Sequence, residues 1–156
     1  MDLKYVNPFI NATINTIETM MGETPQRLAP YSKESSATQG DISGIIGFTN
    51  EVTSGWVAIS LGTDSALKMY ELMMGDVVDD LNADVCDCVG EIANIIAGNA
   101  KALFSDQDFT FQITIPTVIV GKKHSISQSS GTKVVVVPFK LKNDITFTLE
   151  ISMKKM

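Results

Sequence analysis

The chain is 156 residues long, 44% hydrophobic and 19% charged, with 18 acidic against 12 basic side chains and a formal net charge of −6. That length suits one domain, residues 1–156, with a sizeable core, and the hydrophobic share excludes a disordered chain. The negative balance speaks against nucleic acid, which is bound by lysine and arginine on phosphates, and against an anionic membrane surface.

The elements follow in chain order. Asn7 and Pro8 suit the start of a helix. Phe9, Ile10, Ile14, Ile17, Met20 and Met21 then recur at helical spacing until Gly22, so a helix is expected over 8–21. Residues 25–36 are mixed and extended. Residues 41–50 and 55–61 read as two strands of a hairpin, with turn residues at 49–54. Thr63 or Asp64 can cap a short helix over 66–74, ended by Gly75. A long helix spans about 81–104. Residues 109–120, 133–141 and 145–153 are rich in β-branched and aromatic residues and read as strands. Residues 122–132 form a polar Ser/Gly-rich loop.

Hairpin-linked strands imply a mainly antiparallel sheet with helices packed on it, an α+β fold. The order helix-then-strands occurs twice, as a loose internal duplication. The N-terminus has no apolar signal segment and no apolar run spans a bilayer, so the expected compartment is the cytoplasm.

The long helix carries the chemistry. At about 100° per residue, Asp87, Glu91, Asn94, Gly98 and Lys101 fall on one narrow stripe. Val85, Val89, Ile92, Ile96, Ala100 and Leu103 fall on the opposite side. One face therefore belongs to the core and the other is polar. Gly90 and Ala97 flank the stripe and Gly98 lies in it. Each glycine costs about 1 kcal/mol against alanine inside a helix. Glycine there fits close approach by another protein or close packing by an element of the same chain, and the sequence favours neither. Asp87 and Glu91 at i, i+4 repel mildly. They read as a paired-carboxylate site or as a solvated face. Glu91 and Asn94 at i, i+3 join an acceptor to an amide that both donates and accepts, a pair able to anchor a lysine and orient a water.

The run Asp87-x-x-x-Glu91-x-x-Asn94, continuing Ile95-Ile96-Ala97-Gly98-Asn99, resembles the signature helix of the CheC/CheX/FliY phosphatases of bacterial chemotaxis. Pro116 in Ile115-Pro116-Thr117-Val118-Ile119-Val120-Gly121 matches a proline that follows the helix in that family. Tyr5-Val6-Asn7-Pro8-Phe9 and Thr19-Met20-Met21-Gly22 resemble it too, so the likeness spans most of the chain. Some members carry the signature on two related helices. Here the N-terminal helix has Glu18 but Met21 and Ile14 at the other signature positions, which leaves one candidate site, as in the CheX branch.

The resemblance implies a CheC-like α/β sandwich and an enzyme that hydrolyses the aspartyl-phosphate of a phosphorylated CheY-type response regulator. Glu91 would pair with the regulator's lysine, and Asn94 would orient the attacking water. Asp87, Gly90, Ala97, Gly98 and Lys101 would meet the partner, the small residues allowing close approach. The regulator would supply Mg²⁺, with no metal or cofactor on this chain. A homodimer joined through sheet edges is also implied. The competing function is a binding module, without catalysis, for a regulator or a flagellar-motor component.

Other residues carry weaker signals. Cys86 and Cys88 point to different sides of a helix and lack further zinc ligands, so they read as small buried hydrophobes. His124 reads as a loop residue, and Ser125, Ser127, Ser129 and Ser130 as loop solvation without a nucleophile elbow. Met69, Met73 and Met74 read as packing, and Trp56 as core.

Overall fold

A computed structural model describes residues 2–38, 40–127 and 131–156; Ser129 and Ser130 lie outside them. Helix α1 spans Leu3–Met21, then come strands β1 (Gln26–Arg27), β2 (Tyr31–Lys33), β3 (Ile42–Thr49) and β4 (Thr53–Leu61). Helices α2 (Thr63–Met74) and α3 (Ala83–Ser105) follow, and then β5 (Gln112–Ile113), β6 (Thr117–Val120), β7 (Val134–Lys140) and β8 (Thr146–Lys155). Among the described residues the strands form one sheet in the order β1-β7-β8-β4-β3-β5, with β2 also on β7 and β6 also on β3. Every pairing is antiparallel.

Helix α1 starts a turn and a half earlier than the periodicity suggests. Asp2, not Asn7, accepts the capping bond from the Lys4 amide, and Pro8 lies inside the helix. Tertiary packing extends the helix past the proline: Val6 is buried, and the Tyr5 ring lies 5.2 Å from that of Phe109. Helix α2 starts at Thr63, with neither Thr63 nor Asp64 as its cap. Its N-cap is Gly62, which has no side chain to offer. Asp41, at the foot of β3, accepts from the Thr63 amide at 2.9 Å and from its hydroxyl at 2.8 Å, so the acceptor comes from a distant part of the chain.

The expected strand over 109–120 is two strands. Pro116 has no N–H to give a ladder, and Thr114 fills the gap: its amide donates to Gly47 O at 2.9 Å, and its hydroxyl accepts from the Gly47 amide at 2.9 Å. Pro138 sits within β7 without breaking it. Its carbonyl accepts from the Leu28 amide, so its missing N–H faces the β1/β2 side, where no β8 ladder bond is lost.

Helices α1 and α3 pack on each other and on the sheet. Phe9, Phe48, Phe104 and Phe111 interlock there, with neighbouring ring centroids 5.3 Å apart. Gly44 in β3 lets α3 sit down on the sheet, since a Cβ there would come within 2.9 Å of Val89 O. The other sheet face is more polar. Lys33 reaches the fully buried Glu150 at 2.8 Å, and segments around Ala37 and Ser125 pair over that face. Trp56 belongs to this second face and is half-buried, outside the helix-covered core, because its register pairs it with Gly47 and Ser152.

Candidate functional site

Asn82 caps α3 by accepting from the Val85 amide at 3.0 Å. Val85, Val89, Ile92, Ile96, Ala100 and Phe104 then bury one face of the helix. Two lateral contacts fix its rotation. On one side Asn99 Nδ2 donates to Thr16 Oγ1 of α1 at 3.0 Å. On the other, α3 passes so close to β6 that a Cβ on Gly90 would lie 3.1 Å from Val118 Cγ2 and 3.9 Å from Pro116 Cβ.

Between these two walls lies the polar stripe. Asp87, Glu91 and Gly98 are exposed, and Asn94 and Lys101 are half-buried. Among the described residues, the side chains of Asp87, Glu91, Asn94 and Lys101 make no hydrogen bond or ion pair. Glu91 and Asn94, one helical turn apart, therefore present a free carboxylate and a free amide side by side on a helix that cannot roll. Such a pair can neutralise a cation with one member and hold a water with the other.

Gly90 and Ala97 are not on the partner-facing surface that the family resemblance suggests. Both are buried by this chain, Ala97 within the core cluster and Gly90 under Val118. The reason for glycine at 90 is the close passage of β6. Gly98 is different: a Cβ there would have nothing within 4 Å, so no contact among the described residues requires glycine at 98.

The surface beside the stripe adds Tyr70 and Asp84, which the sequence did not single out, to residues it read in other roles. On the β6 side, Ile115 is 84% exposed next to the exposed Pro116. On the α1/α2 side, a groove of about 520 Å³ is lined by Met20, Tyr70, Met73, Met74 and Cys88, with Asp84, Asp87 and Glu91 along its edge. Met69 is core, as its helical spacing suggests, but Met73 and Met74 line this groove. Three helices meet there, a juxtaposition that the periodicity of any one of them does not reveal.

Cys86 and Cys88 are free thiols, each half-buried. Burial pushes both up, and for Cys86 the Asp87 carboxylate adds to the effect. Thiols held protonated are poor nucleophiles. His124 lies in its loop but is not merely solvated. Its Nδ1 donates to Gly121 O at 2.7 Å, which leaves Nε2 to accept from Ser43 Oγ at 2.6 Å. It pins the loop to the second face of the sheet. No helix among the described residues is long and apolar enough to cross a membrane.

Comparison with known proteins bears on the same helix. A curated relative, the CheY-P phosphatase CheX of Thermotoga maritima, is 26% identical over 155 residues, covering 99% of this chain and 98% of that one. The solved structure of a CheC-like superfamily protein from Shewanella sp. PV-4 superposes with a TM-score of 0.90 at 30% identity, covering 99% of both chains. A CheX–CheY–BeF3–Mg²⁺ complex from Borrelia burgdorferi matches with a TM-score of 0.83 at 26% identity, covering 96% of this chain and 97% of that one. Residues 42–140, which contain α3 and β3 to β7, match the family model described as chemotaxis phosphatase CheX. The α+β fold, the exposed stripe and this match over more than half the sequence together place the chain in the CheX family of chemotaxis phosphatases.

Proposed function

We propose that this chain hydrolyses the aspartyl-phosphate of a phosphorylated CheY-type response regulator, in the cytoplasm, by laying α3 against the regulator's phosphorylated site. The observation that carries this reading is the Glu91–Asn94 pair, exposed and half-buried respectively, unengaged among the described residues and held in place by α1 and β6. A CheX–CheY complex among the structural relatives and a relative named CheY-P phosphatase point to the same substrate class.

In this reading Glu91 pairs with a lysine of the regulator. A carboxylate beside a phosphoryl group would otherwise be repelled, so it needs that cation. Asn94 accepts from the attacking water and fixes its line of approach. Water oxygen bonds to phosphorus as the bond to the aspartyl oxygen breaks, which releases phosphate and restores the carboxylate. Phosphoryl transfer through a loose transition state asks for positioning and charge stabilisation more than for a strong base, and an amide meets that need at any ordinary pH. Mg²⁺ belongs to the regulator in this scheme. Asp87, Gly98 and Lys101 extend the contact along the stripe. Residues 1–156 act as one domain, and a homodimer forms through an exposed sheet edge, of which β1/β2 and β5/β6 are the two among the described residues.

The test is phosphate release from the phosphorylated regulator. Asn94→Ala should lower kcat by about 10²- to 10³-fold, the usual loss on removing one positioned hydrogen-bonding group, while regulator binding persists. Glu91→Ala should lower both rate and affinity. An unchanged rate in Asn94→Ala would leave only a binding module.

A further inference from the structure

We propose that the groove between α1, α2 and α3 receives a second basic side chain of the response regulator, separate from the lysine assigned to Glu91; this rests on the phosphatase reading above. The groove's apolar lining is pliable, formed by Met20, Met73 and Met74, which suits a long methylene stem. The edge is a row of carboxylates, Asp84, Asp87 and Glu91, on successive turns of one helix face. None of the three has an ion-pair partner among the described residues. An apolar stem with a cationic head matches both parts.

The helix dipole alone explains Asp84, which lies in the first turn of α3. It does not explain Tyr70. That side chain is 94% buried, being 6% exposed, yet its hydroxyl has no hydrogen-bond partner among the described residues and is not sealed from solvent. It opens into the groove beside Asp84 and Asp76. Burial pushes the phenol above its ordinary value, and those two carboxylates add to the effect, so it stays a neutral hydroxyl. It can donate to a carboxylate and accept from an incoming N–H. A hydroxyl that opens into the groove with no partner from the described residues is available to a partner's polar group there.

Other occupants fit less well. An anionic segment would meet three carboxylates. A purely apolar plug would strip water from them without compensation. A metal ion would need converging ligands, and no group of three or more His, Cys, Asp or Glu able to hold one is found among the described residues.

The experiment measures KM, kcat and regulator affinity for the wild type, Asp84→Asn, Asp84→Lys, Tyr70→Phe and Glu51→Gln, the last an exposed acid in the β3–β4 turn as a control for net charge. The probe is the phosphorylated CheY-type regulator of the same organism. Asp84→Asn should raise KM about tenfold, the size of one charge-assisted hydrogen bond, with kcat within twofold and a flatter salt dependence. Asp84→Lys should raise KM further, Tyr70→Phe by a smaller factor, and Glu51→Gln should match the wild type. Single Lys or Arg to Met changes on the regulator should then yield one variant, other than the lysine paired with Glu91, whose defect is not additive with Asp84→Asn. Wild-type KM in both Asp84→Asn and Tyr70→Phe, or additivity with every regulator variant, overturns the groove and leaves the phosphatase reading intact. If instead Asn94→Ala retains full rate while Asp84→Asn still weakens regulator binding, catalysis is lost as a reading and the groove stands.

Discussion

Gly90 and Val118 approach so closely that a methyl on the glycine would sit 3.1 Å from the valine Cγ2. The contact clamps the signature helix to an edge strand next to the two residues proposed for catalysis. Alanine at 90 gains about 1 kcal/mol of helix propensity, and Val118 is half-exposed and can yield a few tenths of an ångström, so Gly90→Ala should be near neutral in thermal unfolding. Gly90→Val forces α3 away from β6. Overpacking of that kind costs about 1–3 kcal/mol, and phosphate release should fall together with the melting temperature.

Gly98 gives the opposite pattern. Nothing within 4 Å would meet a new Cβ there, so Gly98→Ala should raise stability by up to about 1 kcal/mol. If α3 meets the regulator along its stripe, the same change should weaken regulator affinity. A calorimetric melt and a binding titration on one variant check both halves. A gain in stability with unchanged affinity would remove Gly98 from the contact surface.

These two glycines also show what could be read in advance. The amphipathic pattern of α3 and the hairpin strands follow from side-chain periodicity and local turn chemistry, both of which are written along the chain. The reason for a glycine is not, because it depends on which neighbour the fold delivers: Val118 at 90, open solvent at 98. The same holds for the strand over 109–120. Its composition is uniformly β-prone, and only the pairing with β3 shows that Pro116 divides it and that Thr114 bridges the gap. The groove around Tyr70 needs three helices to meet and leaves almost no trace in sequence.

Asp41 should behave as a borrowed helix cap. Asp41→Ala removes both bonds to Thr63 and should cost about 1 kcal/mol, as loss of an N-cap does. Those bonds, side-chain first and then backbone, hold the Asp41 carboxyl below its ordinary value. A depressed carboxylate contributes stability that is present above its unfolded pKa, about 3.9, and is lost as pH falls through the lower folded value. The difference between wild type and Asp41→Ala should therefore be constant near neutrality and shrink only below about pH 4, as urea unfolding across that range will show.

Lys33 and Glu150 offer a test of the second sheet face. Glu150 is fully buried, and its Oε2 has no hydrogen-bond partner among the described residues, so the ion pair at 2.8 Å is its main support. Lys33→Met strands that carboxylate and should cost about 3–5 kcal/mol, whereas Lys33→Met with Glu150→Leu should recover most of the loss, because replacing a buried pair with apolar groups is often neutral. Urea midpoints of the single and double variants decide it. Equal destabilisation of both would mean that the pair matters for more than its charges.

The position of β8 bears on how the molecule comes together. Among the described residues it is the last of the eight strands in sequence, yet in the sheet it lies between β7 and β4, and no other strand there joins the β1/β2/β7 group to the β3–β6 group. The two part-sheets can zip only when β8 hydrogen-bonds with both: its ladder with β7 closes locally across a short hairpin turn, whereas its ladder with β4 closes against a segment far earlier in the chain. Non-local closure of this kind slows folding toward the millisecond-to-second range. Until it happens, β4 and the β7–β8 hairpin each expose an open edge, so the interval before β8 docks on β4 is when a nascent chain is most prone to pair with the wrong neighbour.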